Sequence, residues 1–223
     1  MAMTVERAAA GWKRPMTSAS ALRDLVGAPS EMVIRKELSA LDIHCRDFIA
    51  RSPFVLLGTS GANGTCDVSP KGDAPGFVLV RDDTTLVIPD RKGNRRIDSL
   101  LNIIDNPHVG LLFLVPGVNE TLRVNGVATL IQDEDMLEQM AVGNSLPVLG
   151  IAVTVQQCFL HCAKSFMRAK LWEPSGRVER SALPSLARIL LDQQRPAGRS
   201  DEEHERLIQE REAAIAQAYQ SLY

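Results

Sequence analysis

Hydrophobic positions follow a helical period in the first part of the chain. Apolar residues before residue 53 recur at three- and four-residue spacing, which is typical of amphipathic helices. The pattern predicts short helices over residues 20–26 and 31–37, with Ser30 as the N-cap of the second. It also predicts a longer helix over residues 41–51, which Pro53 ends because proline cannot continue a helix.

The period then changes to short apolar runs separated by turn sequences such as Gly61–Gly64. These runs predict strands over residues 54–59, 66–69, 77–80, 84–88, 108–115, 121–131 and 151–161. Segments between them predict helices over residues 94–102 and 134–140, and a short helix or turn over 164–171. Strands without regular alternation with helices indicate a mainly β protein of the α+β class, built as an antiparallel barrel.

Three regions follow from this pattern. Residues 1–40 form an N-terminal extension with short helices, residues 41–175 form the barrel domain, and residues 176–223 form a helical tail. The tail is polar, and its segment 201–219 is dense in Glu, Arg and Ala. That composition is typical of a surface helix or of a helix laid over a partner subunit.

Composition excludes several classes of function. With 25 basic and 27 acidic side chains among 223 residues, the chain lacks the strong positive charge of a general nucleic-acid binder. No apolar run approaches the roughly 20 residues that cross a bilayer, and residues 1–15 do not resemble a secretory signal. The four cysteines, Cys45, Cys66, Cys158 and Cys162, form no metal-binding pattern. We therefore expect a cytoplasmic protein with reduced thiols, no bound metal and no membrane partner.

The first candidate site segment, residues 67–73, follows a predicted strand. Pro70 and Gly72 predict an unusual backbone path there, and Ser69, Lys71 and Asp73 supply a hydroxyl, a cation and a carboxylate. Such mixed groups suit the edge of a heteroaromatic ring. On its own, this composition favours an exposed turn.

The second segment, residues 90–96, is strongly basic and lies at the start of a predicted helix. Arg91, Lys92, Arg95 and Arg96 repel one another at this spacing, and Asn94 lies between them. A helix N-terminus attracts anions, and arginine binds phosphate through two hydrogen bonds. A phosphate site is the preferred interpretation, and a solvated basic turn is the alternative.

Two further segments carry polar groups. Arg123 and Asn125 share one face of a strand beside Gly126, which indicates either a ligand wall or a water-exposed face. His161 ends a long apolar strand and is a candidate catalytic base, a ring-stacking group or a core histidine. Lys164 and Arg168 follow it on one helical face.

In this order, the segments resemble the pyridoxamine 5′-phosphate oxidase-like, FMN-dependent flavoproteins. The resemblance covers residues 54–174 and rests on four motifs. These are SPKGD at residues 69–73, RKGN-R at 91–95, RVNG at 123–126, and HCxK at 161–164 followed by Leu-Trp at 171–172. No single motif is decisive, but four in sequence are specific.

The resemblance implies an FMN-binding split β-barrel with flanking helices, assembled as a homodimer with FMN at the subunit interface. By that analogy the phosphate is bound by Arg91, Lys92, Asn94 and Arg95, and the ring edge is lined by Ser69, Pro70, Lys71 and Gly72. The remaining cofactor contacts, some from the partner chain, come from Arg123, Asn125, Lys164, Arg168 and Trp172.

The expected function is that of an FMN-dependent oxidoreductase acting on an unidentified small molecule, with NAD(P)H as a possible electron donor. His161 is the one candidate for a catalytic residue. The Glu- and Gln-rich tail differs from the Arg/His-bearing end with which pyridoxamine 5′-phosphate oxidases bind their substrate's phosphate, so that substrate is not implied. The alternatives are a non-catalytic protein that binds flavin, deazaflavin or haem for sensing or storage, and a structural dimer without a cofactor.

Overall fold

The computed structural model describes residues 11–220 as two compact units, the first ending at Arg168 and the second beginning at Ala169. The helices of the first unit are α1 (Ala19–Val26), α2 (Glu31–Arg35), α3 (Ile43–Arg51), α4 (Asp98–Asp105) and α5 (Glu134–Gln139). Its strands are β1 (Phe54–Ser60), β2 (Cys66–Gly72), β3 (Leu79–Val80), β4 (Thr85–Asp90), β5 (His108–Leu114), β6 (Thr121–Ile131) and β7 (Leu149–His161). A further helix, α6 (Lys164–Ala169), ends at the division between the units.

The seven strands form one antiparallel sheet in the order β2-β1-β5-β6-β7-β4-β3. Although β2 lies at one edge and β4 next to the other, the Lys71 amine of β2 lies 2.6 Å from the Asp90 carboxylate of β4. The sheet therefore curls until its two edges approach each other, which is the geometry of a split barrel. The predicted α+β class and split-barrel architecture are confirmed.

Alternation along the strands builds the core inside the barrel. Val55 and Leu57 of β1 face Phe113 and Leu111 of β5, and all four are buried. Each such side chain contributes about 1.5–3 kcal/mol through removal of its apolar surface from water. Helix α3 adds Cys45 and Ile49 to this core. Its N-cap is Asp42, whose carboxylate accepts the Cys45 N–H, and this hydrogen bond lowers the pKa of Asp42.

Two predicted boundaries are wrong in ways that matter for the site. Strand β2 continues to Gly72 rather than ending at Ser69, because an edge strand tolerates Pro70, whose missing N–H would break a ladder only in an interior strand. Helix α4 begins at Asp98 rather than Asn94 and continues to Asp105. The other predicted elements differ by a few residues at their ends, except that β3 is only two residues long. Among the described residues, no helix is both long and apolar enough to cross a membrane.

A β-bulge interrupts the pairing of β6 with β7 between Asn125 and Gly126. The bulge brings the Thr154 carbonyl of β7 against the Cα of Gly126, so that a Cβ at this position would overlap it. In the sequence, Gly126 was compatible with either a ligand wall or a water-exposed face. The group that approaches Gly126 is the backbone of the neighbouring strand.

We expect Gly126→Ala to destabilise the barrel by about 3 kcal/mol, near the upper end for overpacking, because the atom it meets is backbone and cannot rotate away. Gly93→Ala is the matched control, since a Cβ there meets only the Arg91 carbonyl at 3.9 Å. Urea unfolding of both variants checks the prediction. Equal stabilities would show that the bulge relaxes freely.

The second unit contains two 3₁₀ turns (Pro174–Gly176 and Arg180–Ala182), α7 (Leu186–Gln193) and α8 (Asp201–Ala218). Ser185 and Ser200 cap the two helices with their hydroxyl groups. The helices pack together around buried His204, whose Nε2 lies 2.7 Å from an Asp192 carboxylate oxygen. Helices α7 and α8 lie within the tail predicted over residues 176–223, of which 221–223 lie outside the described residues, and the predicted contact with a partner subunit stays a prediction.

Candidate functional site

Strand β2 presents a row of polar side chains to the inner face of the sheet. Ser69 and Lys71 pair with Leu57 and Val55 of β1, and residues directly opposite in an antiparallel pair share a face. This row therefore borders the hydrophobic core, at the place where the barrel closes. Polar groups at such a position need hydrogen-bond partners.

Helix α4 and the end of β4 supply those partners. The four contacts are Asn102 Nδ2 to Asp67 (2.8 Å), Ser99 Oγ with Ser69 Oγ (2.6 Å), Lys71 Nζ to Asp90 (2.6 Å) and Arg91 Nε to Asp73 (2.8 Å). We call these eight residues the closure row. The row closes the barrel through side-chain contacts, and its two cations pair with two of its three carboxylates. It also fixes the first residue of the basic segment against β2.

The two ion pairs of the closure row are largely buried. The Asp73 side chain is 2% exposed and that of Arg91 17%, while Lys71 and Asp90 are 20% and 18% exposed. Lys71 therefore stands beside the Asp90 carboxylate. This negative charge partly neutralises the lysine, so its electrostatic effect on other neighbouring groups is reduced. Pro70 and Gly72 lie on the opposite, exposed face of β2. The predicted ring-edge set is thus divided between the two faces of a regular strand, and the predicted unusual backbone path is wrong.

The basic segment forms a strained turn that precedes α4. Arg95 and Ile97 have positive φ angles of 61° and 53°. Such values are uncommon for non-glycine residues, and a β-branched residue adopts them only under constraint from its surroundings. The Asn94 side chain accepts the Arg96 N–H at 3.0 Å, which supports the turn. Ile97 takes the N-cap position of α4, and its side chain does not cap the helix.

Two of the four cations in this segment have acidic partners. Arg91 pairs with Asp73, and Arg96 pairs with Asp98 in the first turn of α4. Within residues 11–220, no ion pair involves Lys92 or Arg95, and both are exposed. Mutual repulsion is therefore weaker than the sequence indicated, and the anion-binding capacity of the turn resides in Lys92 and Arg95.

A cavity of about 210 Å³ adjoins the closure row. The Asp73–Arg91 pair lines one part of it, and Phe77, Met140 and Gln139 line others. Its volume lies below the roughly 300–1,000 Å³ of pockets for drug-sized ligands, so it suits a small molecule. Because Arg91 belongs both to the cavity wall and to the basic turn, the two features are contiguous.

Arg123 and Asn125 lie on the outer face of the sheet. Arg123 pairs with Leu112 of β5, which in turn pairs with Leu56 of β1 and through it with Pro70 of β2. The same row continues to Phe159 on β7, whose ring centroid lies 5.5 Å from the Arg123 guanidinium. Asn125 donates to Gln157 at 2.5 Å. The sheet itself therefore separates Arg123 and Asn125 from Ser69 and Lys71 within one chain.

His161 is half-buried at the end of β7, and burial followed by the charges of Arg123 and Lys36 lowers its pKa. Lys164 and Arg168 are exposed on α6. Trp172 belongs to the second unit. The fold thus assembles the closure row and the basic turn in one place, but it does not bring the predicted contacts at residues 123–125 and 161–168 to that place.

Sequence reasoning missed Asp90, Ser99 and Lys36. Asp90 has a local signal, because a carboxylate directly after an apolar strand and before four cations implies an ion pair. Ser99 has none, since serine in the first turn of a helix is ordinary. Lys36 also has none, because its contact with Phe159 joins residues far apart in the chain.

The barrel, its polar closure row and the adjoining basic turn place the chain in the class of split-barrel proteins. Its candidate anion site lies where the two edges of the sheet meet. The family model described as pyridoxamine 5′-phosphate oxidase matches residues 41–162, which is more than half of the chain. The chain therefore belongs to the pyridoxamine 5′-phosphate oxidase family. A comparison with curated proteins finds no match.

Several solved structures resemble part of the chain at low identity. HupZ of Group A Streptococcus is 21% identical, with 54% of this chain and 93% of that chain covered and a TM-score of 0.44. A putative pyridoxamine 5′-phosphate oxidase from Lactobacillus delbrueckii is 22% identical, with coverage of 56% and 98% and a TM-score of 0.43. An FMN-binding protein from Syntrophomonas wolfei is 10% identical, with coverage of 64% and 96% and a TM-score of 0.41. These likenesses concern the fold alone.

Proposed function

We propose that the protein binds FMN and acts as an oxidoreductase on a small molecule, in the cytoplasm. Family membership supports a flavin, and the observation that carries the choice of FMN is the basic turn. Lys92 and Arg95 are exposed cations without ion pairs among the described residues, and they stand on a strained turn directly before a helix. A terminal phosphate group matches this donor set.

The residues of the turn fit the phosphate, and the closure row fits the ring. Lys92 and Arg95 would neutralise the phosphate, while Asn94 supports the turn and Arg91 anchors it to β2 through Asp73. Ser69 and Lys71 would offer a hydroxyl and a cation to the ring edge. Bound FMN would supply the transfer of hydride or single electrons, and the protein would position the reactants and exclude water.

We further propose a homodimer in which the second copy completes the cofactor site. The sheet places Arg123 and Asn125 on its outer face, away from the closure row, so one flavin contacts both sets only if they come from different chains. Half-buried Leu56 and Leu112 and exposed Val68 lie on the same outer face, which supports burial of that face against a partner.

The test is a visible absorption spectrum of the purified full chain, with mass spectrometry of what heat denaturation releases. We expect an oxidised-flavin spectrum and the mass of FMN. A deazaflavin or haem spectrum would replace FMN with that cofactor. A colourless protein that also fails to bind added FMN would overturn the proposal.

Anaerobic mixing with NADH or NADPH then separates an enzyme from a binding protein. Bleaching of the flavin band, followed by repeated turnover when oxygen or another acceptor is supplied, supports the oxidoreductase. A flavin that stays oxidised with both donors, yet is reduced by dithionite, favours the sensing or storage alternative.

A further inference from the structure

Four side chains from three parts of the first unit meet near the end of β7. Lys36, which follows α2, donates to the Leu160 carbonyl at 2.8 Å and holds its amine 4.9 Å from the centre of the Phe159 ring. Arg123 of β6 approaches the same ring at 5.5 Å. The rings of Phe159 and His161 lie 5.0 Å apart. We call Lys36, Arg123, Phe159 and His161 the β7 cluster.

The β7 cluster carries positive charge without a matching carboxylate. Among residues 11–220, neither Lys36 nor Arg123 takes part in an ion pair. His161 Nε2 is buried and has no hydrogen-bond partner in the described part of the chain. The charged groups that act on His161 are Arg123 and Lys36, and both lower its pKa, as does burial, which is the largest cause.

The β7 cluster therefore has excess positive charge that a negatively charged ligand would balance. Two cations lie within 5.5 Å of the centre of the Phe159 ring, and both lie close enough to His161 for their charges to act on its buried, unsatisfied ring nitrogen. Lys36 is held in place by a backbone carbonyl, so little of its side-chain freedom would be lost on binding. An anion would satisfy all three groups at once.

We propose that Lys36, Arg123 and His161 form an anion-binding site that takes a phosphate or carboxylate group. The site stands on these contacts and does not require that the protein be a flavoenzyme. Two sources have the required chemistry: a separate small anion, such as an acidic substrate, and the phosphate of FMN. The experiment below distinguishes them.

The experiment follows the His161 ring by NMR in the cofactor-free full chain. The chain has four histidines, so His161→Gln assigns its resonances. Inorganic phosphate is titrated at constant ionic strength against chloride. We expect saturable shifts of the His161 signals and a rise in the pKa of His161 by about one pH unit, because a nearby negative charge favours the imidazolium.

The variants Lys36→Met and Arg123→Gln are each expected to weaken phosphate binding at least tenfold. Arg35→Gln is the matched control, because it removes a neighbouring charge that pairs with Glu31 on the surface. The signals of His44, His108 and His204 report whether each variant is folded. An unchanged His161 in saturating phosphate, or an equal loss in Arg35→Gln, would overturn the site.

The source of the anion is decided by repeating the titration with FMN, with riboflavin and with phosphate on FMN-loaded protein. A His161 shift with FMN but not riboflavin assigns the cofactor's phosphate to the site. A shift by inorganic phosphate that persists on FMN-loaded protein assigns a separate anion. Failure of FMN to bind anywhere would overturn the proposed function but leave the phosphate result on the β7 cluster intact.

Discussion

The double variant Lys92→Ala/Arg95→Ala is expected to lose at least about 100-fold in affinity for FMN while the barrel keeps its stability. Hydrogen bonds to a charged group contribute about 1.5–3 kcal/mol each, and two such losses amount to about 3 kcal/mol, or roughly two powers of ten in Kd. Both side chains are exposed, and no ion pair within residues 11–220 involves them. Their removal therefore leaves the packing of the barrel unchanged.

The measurement is a fluorescence titration with FMN, accompanied by urea unfolding of the cofactor-free protein. Arg96→Ala is the control, since Arg96 lies on the same turn but pairs with Asp98 on the surface. We expect it to reduce FMN affinity less than tenfold. If the double variant bound FMN with wild-type affinity, the assignment of the FMN phosphate to the basic turn would be wrong. Riboflavin, which lacks the phosphate, should bind the double variant and the wild type equally.

Strand positions were predictable because the core imposes alternation. Val55, Leu57, Leu111 and Phe113 recur at every second residue and are buried, so the sequence locates β1 and β5 to within about one residue. The start of α4 was not predictable in this way. Positive φ angles at Arg95 and Ile97 override the helical preference of residues 94–97, and a single sequence gives no warning of that strain.

The candidate site was predictable as a set of segments but not as an arrangement. Mixed polar groups at residues 67–73 and cations at 91–96 are visible in the sequence, and the structure joins them through Lys71–Asp90 and Asp73–Arg91. Their separation from Arg123 depends on strand order and register, which place Lys71 on the inner face of the sheet and Arg123 on the outer face. Neither quantity can be read from local pattern, because a one-residue shift would reverse the faces.

Arg91→Met is expected to destabilise the cofactor-free protein by about 3–5 kcal/mol, far more than a role as a surface phosphate ligand would imply. Removal of the guanidinium leaves the Asp73 carboxylate, which is 2% exposed, without the charge that now balances it. Breaking a buried pair by deleting one partner carries a cost of this size. For a chain of this length the melting temperature should fall by roughly 6–20 °C.

Thermal and urea unfolding of the apoprotein measure this effect without the stabilisation that a bound ligand adds. Arg96→Met is the control, because its pair with Asp98 is 74% and 39% exposed and surface pairs contribute about 0–1 kcal/mol. Asp73→Leu/Arg91→Met should recover most of the lost stability, since removal of both charges leaves neither member of this pair as a buried ion without its partner. A small effect of Arg91→Met alone would show that the closure row contributes little to barrel closure. Arg91 would then be available to bind phosphate directly, with Lys92 and Arg95.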